Sequence, residues 1–410
     1  MKRLLLLLAA AAGLAGCGVL PRRPLVLATD RPQVAPLVEY FNSLQPNQRV
    51  LLRYQAEPAQ ALRRKSGVDL VVGSRLGAAS EARSLEPLED LFRANRLSRS
   101  QFYAPVLAAG APERRQVLLP LSFCLNAVVF LPYNLREAAP NLSISLDYLR
   151  DSGRRYNQSV RDSLVREGFS PLWDPNFLLI AAELGGARFR EESGGNLGWN
   201  AEALDQSVAY LRDWVTVTNG GLALETAFSG KYLYQPAGRL LDEKRIQFYT
   251  VLSCQLLAAL DDQKEEADFR WLAGPEKILV ADDILFIGVP RSSGRKPQAK
   301  GFILWAFQEQ TQSKLLEIGR RQRLGIFGIA GGFSALKSVN QRELPQYYPR
   351  LIGRIPPEEL LQVPGPLPEA WPEIKARVLI PWLKEAVSSD TPPKDLAERL
   401  RAARLGRGRK

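Results

Sequence analysis

Histidine is absent from all 410 residues. That removes every Ser-His-Asp or Cys-His constellation, the paired-histidine zinc proteases and the two-histidine iron sites. Cysteine is nearly absent too: three residues cannot build a four-cysteine zinc site or an iron–sulfur cluster within one chain. The sequence has no low-complexity linker and no repeat of fixed period. What remains for chemistry is carboxylates, lysines, tyrosines and hydroxyls, so binding is favoured over catalysis, and neither a cofactor nor a metal is expected.

Hydrophobic residues make up 46% and charged residues 24%, the composition of a globular chain with a full-sized core. The length predicts two or three domains. Lys2 and Arg3 precede the apolar run Leu4–Ala12, followed by Leu14-Ala15-Gly16-Cys17. A basic start, a short apolar run and small residues describe a secretory leader, too short to span a bilayer as a stable helix. The Leu-Ala-Gly-Cys quartet resembles the lipobox of bacterial lipoproteins. That resemblance implies cleavage after residue 16, acylation of the Cys17 thiol, and an extracytoplasmic protein anchored to a bacterial membrane through its lipid. An uncleaved anchor is the alternative.

The net charge of +12 invites a nucleic-acid reading. Losing Lys2 and Arg3 with the leader lowers it to about +10, spread along the chain. The one dense basic patch is Arg399, Arg401, Arg404, Arg407, Arg409 and Lys410, a solvated tail or a contact for anionic lipid. No nucleic-acid partner is expected. Cys124 and Cys254 lie in apolar stretches, and pairing and two small buried thiols both stay open.

Residues 17–23 read as a tether. Leu25–Thr29, Val50–Tyr54 and Val68–Val72 then read as strands, with helices at Ala35–Leu44 and Ala59–Lys65 between them. This alternation predicts a βαβ parallel sheet. Trp173–Leu184 and Ala201–Trp214 read as amphipathic helices. Ile246–Val251, Phe269–Leu272 and Ile284–Val289 read as strands. Leu252–Asp261, Lys300–Arg320, Trp371–Val387 and Pro393–Arg404 read as helices.

Several stretches, taken in order, resemble the extracellular solute-binding proteins of ABC importers, in particular the carbohydrate-binding branch that includes maltose-binding protein. They are Val68-Asp69-Leu70-Val71-Val72, Leu85-Glu86-Pro87-Leu88, Phe130-Leu131-Pro132-Tyr133-Asn134, Trp173-Asp174-Pro175-Asn176-Phe177, Gly288-Val289-Pro290-Arg291-Ser292 and Trp371-Pro372-Glu373-Ile374. The resemblance implies an α/β, two-lobed periplasmic-binding-protein fold with discontinuous lobes and a hinge of crossing segments. Lobe one would hold 24–121 and 286–332, lobe two 131–281 and 336–410, and the hinge 122–130, 282–285 and 333–335. It also implies a monomer that delivers a small polar solute, a sugar or oligosaccharide, to an ABC permease. The chain departs from the pattern at Pro120-Leu121, where relatives often carry Pro-Tyr, and at Gly230–Tyr234, which leaves the ligand class open.

Ligands of open α/β sheets sit beyond the carboxyl ends of the strands. That rule nominates Thr29, Asp30, Arg31, Ser74 and Arg75 in lobe one, Thr250 and Ser253 in lobe two, and Ser122 and Phe123 at the hinge. Trp173 and Asp174 stand at a helix start, where the indole can offer a sugar a flat face. Trp371 matches a position where relatives carry a sugar-stacking aromatic. Asp282 and Asp283 precede a hinge strand, and Phe333 follows Gly331-Gly332. Structural roles stay open beside these: Asp30 as a helix cap, Trp173 and Trp371 as core, and Phe333 as hinge packing. Two further function classes also stay open. One is a surface sensor or scaffold that keeps the fold but docks another partner. The other is a glycosidase working with two carboxylates. Without histidine, ligand affinity is expected to be nearly flat between pH 5 and 8.

Overall fold

A computed structural model describes residues 23–62, 66–93, 96–135, 142–389, 393 and 395–405. The expected leader at 1–16, the acylation site Cys17 and nearly all of the tether lie outside the described residues, as do Arg407, Arg409 and Lys410. No helix among the described residues is long and apolar enough to cross a membrane.

From Pro24 the chain forms β1 (Leu25–Thr29), α1 (Ala35–Leu44), β2 (Val50–Tyr54) and β3 (Leu70–Gly73). All five residues of β1 are buried, as its unbroken apolar run requires of a central parallel strand. The expected helix over 59–65 is instead a 3₁₀ turn, Pro58–Leu62, with 63–65 outside the described residues. Pro58 and Gly67 bracket too little chain there for a stable α-helix.

Next come β4 (Leu118–Phe123), β5 (Asn126–Phe130), β6 (Ser143–Ser145), α2 (Pro175–Leu184) and α3 (Ala201–Asp213). They are followed by β7 (Tyr249–Leu252), α4 (Ser253–Asp261), β8 (Asp268–Ala273), β9 (Ile278–Leu279) and β10 (Leu285–Gly288). The expected helix Lys300–Arg320 is two helices, α5 (Lys296–Ala306) and α6 (Glu309–Arg321), broken at Phe307-Gln308. After β11 (Phe333–Ser334) and β12 (Leu361–Gln362), α7 (Trp371–Ile374) passes through a π turn at Lys375–Leu379 into α8 (Ile380–Ser388). The last helix is α9 (Leu396–Leu405).

The strands make two six-stranded sheets. The first runs β11-β4-β10-β3-β1-β2; β1 is parallel to β2 and β3, while β10 and β11 run antiparallel to their neighbours. The second runs β7-β5-β8-β9-β12, with β6 parallel to β8. Both faces of β5 are buried, and its period of two divides them. Ala127 and Val129 face the core shared with the first sheet, while Val128 and Phe130 face a second core under α2, α3 and α8.

The chain passes between the sheets at Cys124-Leu125, again between β9 and β10, and a third time between β11 and β12. On that third passage, the helical stretch Val339–Tyr347 packs on α6 beside the first sheet.

Candidate functional site

β1 and β3 are parallel neighbours, so their carboxyl ends fall at one edge of the first sheet. The side chains there are interlocked. Arg31 donates from Nη2 to Ser74 Oγ at 3.0 Å, and its backbone N–H donates to Thr29 Oγ1 at 3.0 Å. Asp30 lies 3.8 Å from Arg75 and 3.9 Å from Arg31, and makes no cap hydrogen bond to the following helix. Arg31 also reaches across to Asp283 at 3.7 Å. Asp30 Oδ1 and Asp283 Oδ1 are buried and accept no hydrogen bond from the described residues. Burial lifts Asp283 above the ordinary carboxylate value, although the Arg31 guanidinium pulls it back.

The opposite wall is built on α2. Asp174 caps the helix by accepting from the Asn176 N–H at 2.9 Å. Asn176, Leu179, Ile180 and Glu183 follow at helical spacing, so they share one face. That face, with Thr250 of β7 and Asn126 of β5, lines a cavity of about 400 Å³ that also touches Asp282 and Asp283. Asp282 organises its floor: Oδ2 accepts from Trp371 Nε1 at 2.7 Å and from Lys375 Nζ at 2.9 Å. Trp371 and Lys375 sit one turn apart, so one carboxylate engages both. The Pro364–Pro368 loop closes the cavity, its prolines fixing the backbone.

On the other side of Trp371 lies a small pocket lined by Ser74, Arg75 and Glu81, which shares its wall with a groove of about 1260 Å³ between the lobe rims. The rims touch. The Ala79 N–H donates to Glu191 Oε2 at 2.9 Å and Ser80 Oγ to Glu369 Oε2 at 3.2 Å. Glu81 is enclosed between them, 7% exposed. Burial first, and then the nearby Glu369 and Glu191, push its carboxyl up to about 8; the Ala78 N–H and Arg75 oppose this. Glu183, hydrogen-bonded to the Phe189 N–H at 2.9 Å, is raised to about 7, chiefly by burial. The expectation of flat affinity between pH 5 and 8 rested on the missing imidazole. Two enclosed carboxyls raised toward neutrality bear on that expectation, because ionisable groups other than imidazole then lie beside the cavity.

Seven of the nominated residues line this pair of adjoining pockets: Ser74, Arg75, Asp174, Thr250, Asp282, Asp283 and Trp371. Asp30 stands behind them, ion-paired to Arg75. Ser122, Phe123, Ser253 and Phe333 are buried where the chain passes between the sheets and do not line it. Ser253 Oγ accepts from the Leu125 N–H at 3.1 Å, and Phe333 packs on Phe123, Trp271 and Phe327. The Trp173 ring is half-buried, stacked on Phe228 and tilted against Phe169. Sequence reasoning missed Glu81, Glu183, Lys375 and the Pro364–Pro368 loop. A lone acid on the apolar helix Pro175–Leu184, one turn from Ile180 and two turns from Asn176, was the available signal for Glu183.

No protein-family profile matches the chain, and no curated protein of similar sequence was found. Solved structures do share its architecture. An ABC substrate-binding protein from Listeria monocytogenes in complex with cycloalternan superposes with a TM-score of 0.62 at 14% identity, covering 94% of this chain and 99% of that one. A cyclo/maltodextrin-binding protein complexed with maltotetraose gives 0.65 at 13% identity, with 93% and 97% covered. A cyclic α-maltosyl-1,6-maltose binding protein from Arthrobacter globiformis gives 0.61 at 13% identity, with 93% and 97% covered. The chain therefore has the α/β, two-lobed solute-binding fold.

Proposed function

We propose that this chain is the solute-binding component of an ABC importer, taking a neutral, hydroxyl-rich solute of the oligosaccharide class between its lobes. The observation that carries this is the cavity at the lobe junction. It is walled by lobe two and the hinge residues Asn126, Asp282 and Asp283, floored by an indole whose N–H is held by a carboxylate, and adjoined at Asp282 and Trp371 by the Ser74–Arg75 edge of lobe one. Its volume of about 400 Å³ lies within the range of small-molecule sites, and the groove beyond gives room for further sugar units. Asp174, Glu183, Asp282 and Asp283 outnumber Lys375 on its walls, which disfavours anions and supplies acceptors for hydroxyls. The similar folds that hold cycloalternan and maltotetraose support the ligand class.

In this reading Ser74, Arg75, Asp174, Thr250, Asp282, Asp283 and Trp371 meet the solute, with Glu81 and Glu183 beside them. Binding biases an open-to-closed equilibrium, and the closed form delivers the solute to the permease without covalent chemistry. Lobe one takes residues 24–121 and 286–332 together with the stretch through Tyr347 that packs on α6; lobe two takes 131–281 and the remainder. The protein acts as a monomer held outside the cytoplasm by lipid on Cys17.

Tryptophan fluorescence titration with maltotetraose and with an acidic oligosaccharide of similar size tests the reading. Saturable binding of the neutral sugar, weakened at least tenfold in Asp282→Ala and absent for the acidic one, is expected. Equal binding of both, or an Asp282→Ala protein that binds as wild type, would overturn it.

A further inference from the structure

Cys124 and Cys254 play no part in the proposed solute site, yet they meet where the lobes join. We infer that the two thiols form a redox-active pair, and that their oxidation to a disulfide staples the lobe junction. The pairing register brings them together. In the antiparallel β5–β7 ladder Leu252 faces Asn126, and the ladder continues with the Ser253 N–H donating to the Leu125 carbonyl at 2.8 Å. One step further the strand gives way to the first turn of α4, which carries Cys254 beside Cys124. In the reduced protein the two thiols are free and lie close enough to perturb each other's ionisation.

The two sulfurs are not equivalent. Cys124 is buried, whereas Cys254 is half-exposed in the first turn of α4. The contact with the Cys124 thiol pulls Cys254 below the ordinary thiol value, and Arg31 assists; Asp283 and burial oppose. The same contact, then burial, pushes Cys124 up. Cys254 is thus the attacking thiolate and Cys124 the resolving thiol. The oxidant is a small or protein disulfide. Cys254 Sγ attacks one of its sulfurs, the S–S bond breaks and one thiolate leaves. Cys124 then releases its proton to water and attacks Cys254 Sγ, expelling the second thiolate. Two protein thiols become one disulfide, and the oxidant's disulfide becomes two thiols.

Position gives the bond its consequence. Residue 124 lies in the segment joining β4 of the first sheet to β5 of the second. Its carbonyl accepts from the Ala281 N–H at 2.9 Å, in the second passage between sheets. Its Sγ is 3.4 Å from the Gly331 carbonyl oxygen, next to β11. A bond from this residue to α4 therefore fixes the meeting point of the passages to one lobe. The pairing rests on the fold alone; its effect on closure rests on the proposed function.

The test uses the full chain carrying Cys17→Ser, with oxidised glutathione as the oxidant. Peptide mapping under non-reducing conditions is expected to show a 124–254 disulfide in a monomer, with no thiol left to alkylate. Cys124→Ser is expected to trap glutathione on residue 254, whereas Cys254→Ser leaves Cys124 unmodified until the protein is unfolded. Two alkylatable thiols after oxidation, or a stable glutathione adduct in the Cys17→Ser parent, would overturn the pairing. Small-angle scattering of the oxidised and reduced forms tests the staple. A ligand-linked decrease in radius of gyration that shrinks on oxidation supports it, and an unchanged decrease refutes it. A reduced protein that never responds to oligosaccharide refutes the solute-binding reading and leaves the peptide map standing.

Discussion

On the proposed solute-binding reading, Glu81 is expected to make closure of the lobes depend on pH. With the rims in contact its carboxyl is pushed up to about 8 from an ordinary value of 4.5, by enclosure first and then by Glu369 and Glu191 on the facing rim. When the lobes part, water returns and both neighbours withdraw, so the value falls back toward the ordinary one. The raised value belongs to the closed form. Closure is therefore favoured in acid, where the group is protonated in both states, and weakens as pH rises toward about 8. At pH 7 closing must take up a proton that an ordinary carboxyl has released, which costs at most about 3 kcal/mol at about 1.4 kcal/mol per pH unit. The closed-to-open ratio should fall by up to tenfold per pH unit between roughly pH 5 and 8. Glu81→Gln keeps the shape without the proton and should hold the ratio near its acid value throughout. Small-angle scattering on ligand-free protein from pH 5 to 9 reads this out. Wild type should expand with pH while the variant does not, with Glu183→Gln as the control for the second raised carboxyl. Superimposable curves for wild type and Glu81→Gln would refute the reasoning.

Three further outcomes follow from groups away from the rim. Glu167 is fully buried and raised to about 9 by burial and by the neighbouring Glu225, so it folds protonated. Its contribution is complete in acid and is lost as pH climbs toward about 9; Glu167→Gln should melt above wild type at pH 8.5 and level with it at pH 5, measured by circular dichroism. Asp69 accepts from the Val26 N–H at 3.0 Å and from Ser293 Oγ at 2.8 Å, and it also pairs with Arg295. Asp69→Ala should cost about 2–4 kcal/mol, chiefly from the partners left unpaired, seen as a lowered urea midpoint. At Gly332 a Cβ would sit 2.7 Å from the Phe123 carbonyl oxygen, so Gly332→Ala should lower stability by about 1–3 kcal/mol in the same assay.

Much of the architecture was legible from local pattern. Leu25–Thr29 is apolar throughout because parallel neighbours and both layers cover it. The carboxyl-end rule found the Asp30, Ser74 and Arg75 edge because parallel strands deliver their ends to one side. The rule carried less at Ser122 and Ser253. Those hydroxyls lie in the passage between sheets, where pairing across the lobes decides who faces the cavity. Glu81 was beyond reach for a related reason. In Ala79-Ser80-Glu81-Ala82 it reads as a solvated acid, and only the second lobe, arriving from more than a hundred residues away, encloses it. The Pro364–Pro368 loop has no periodicity to detect, and its role comes from lying over Trp371 and Asp282.

The central claim is that a neutral oligosaccharide closes these lobes around the Asp282–Trp371 floor. Isothermal titration of the full chain at pH 6 against a series of neutral oligosaccharides, with scattering at each endpoint, tests it most directly. The account predicts stoichiometric one-to-one binding of at least one member, accompanied by a smaller radius of gyration. Absence of heat and of compaction across the whole series would contradict it.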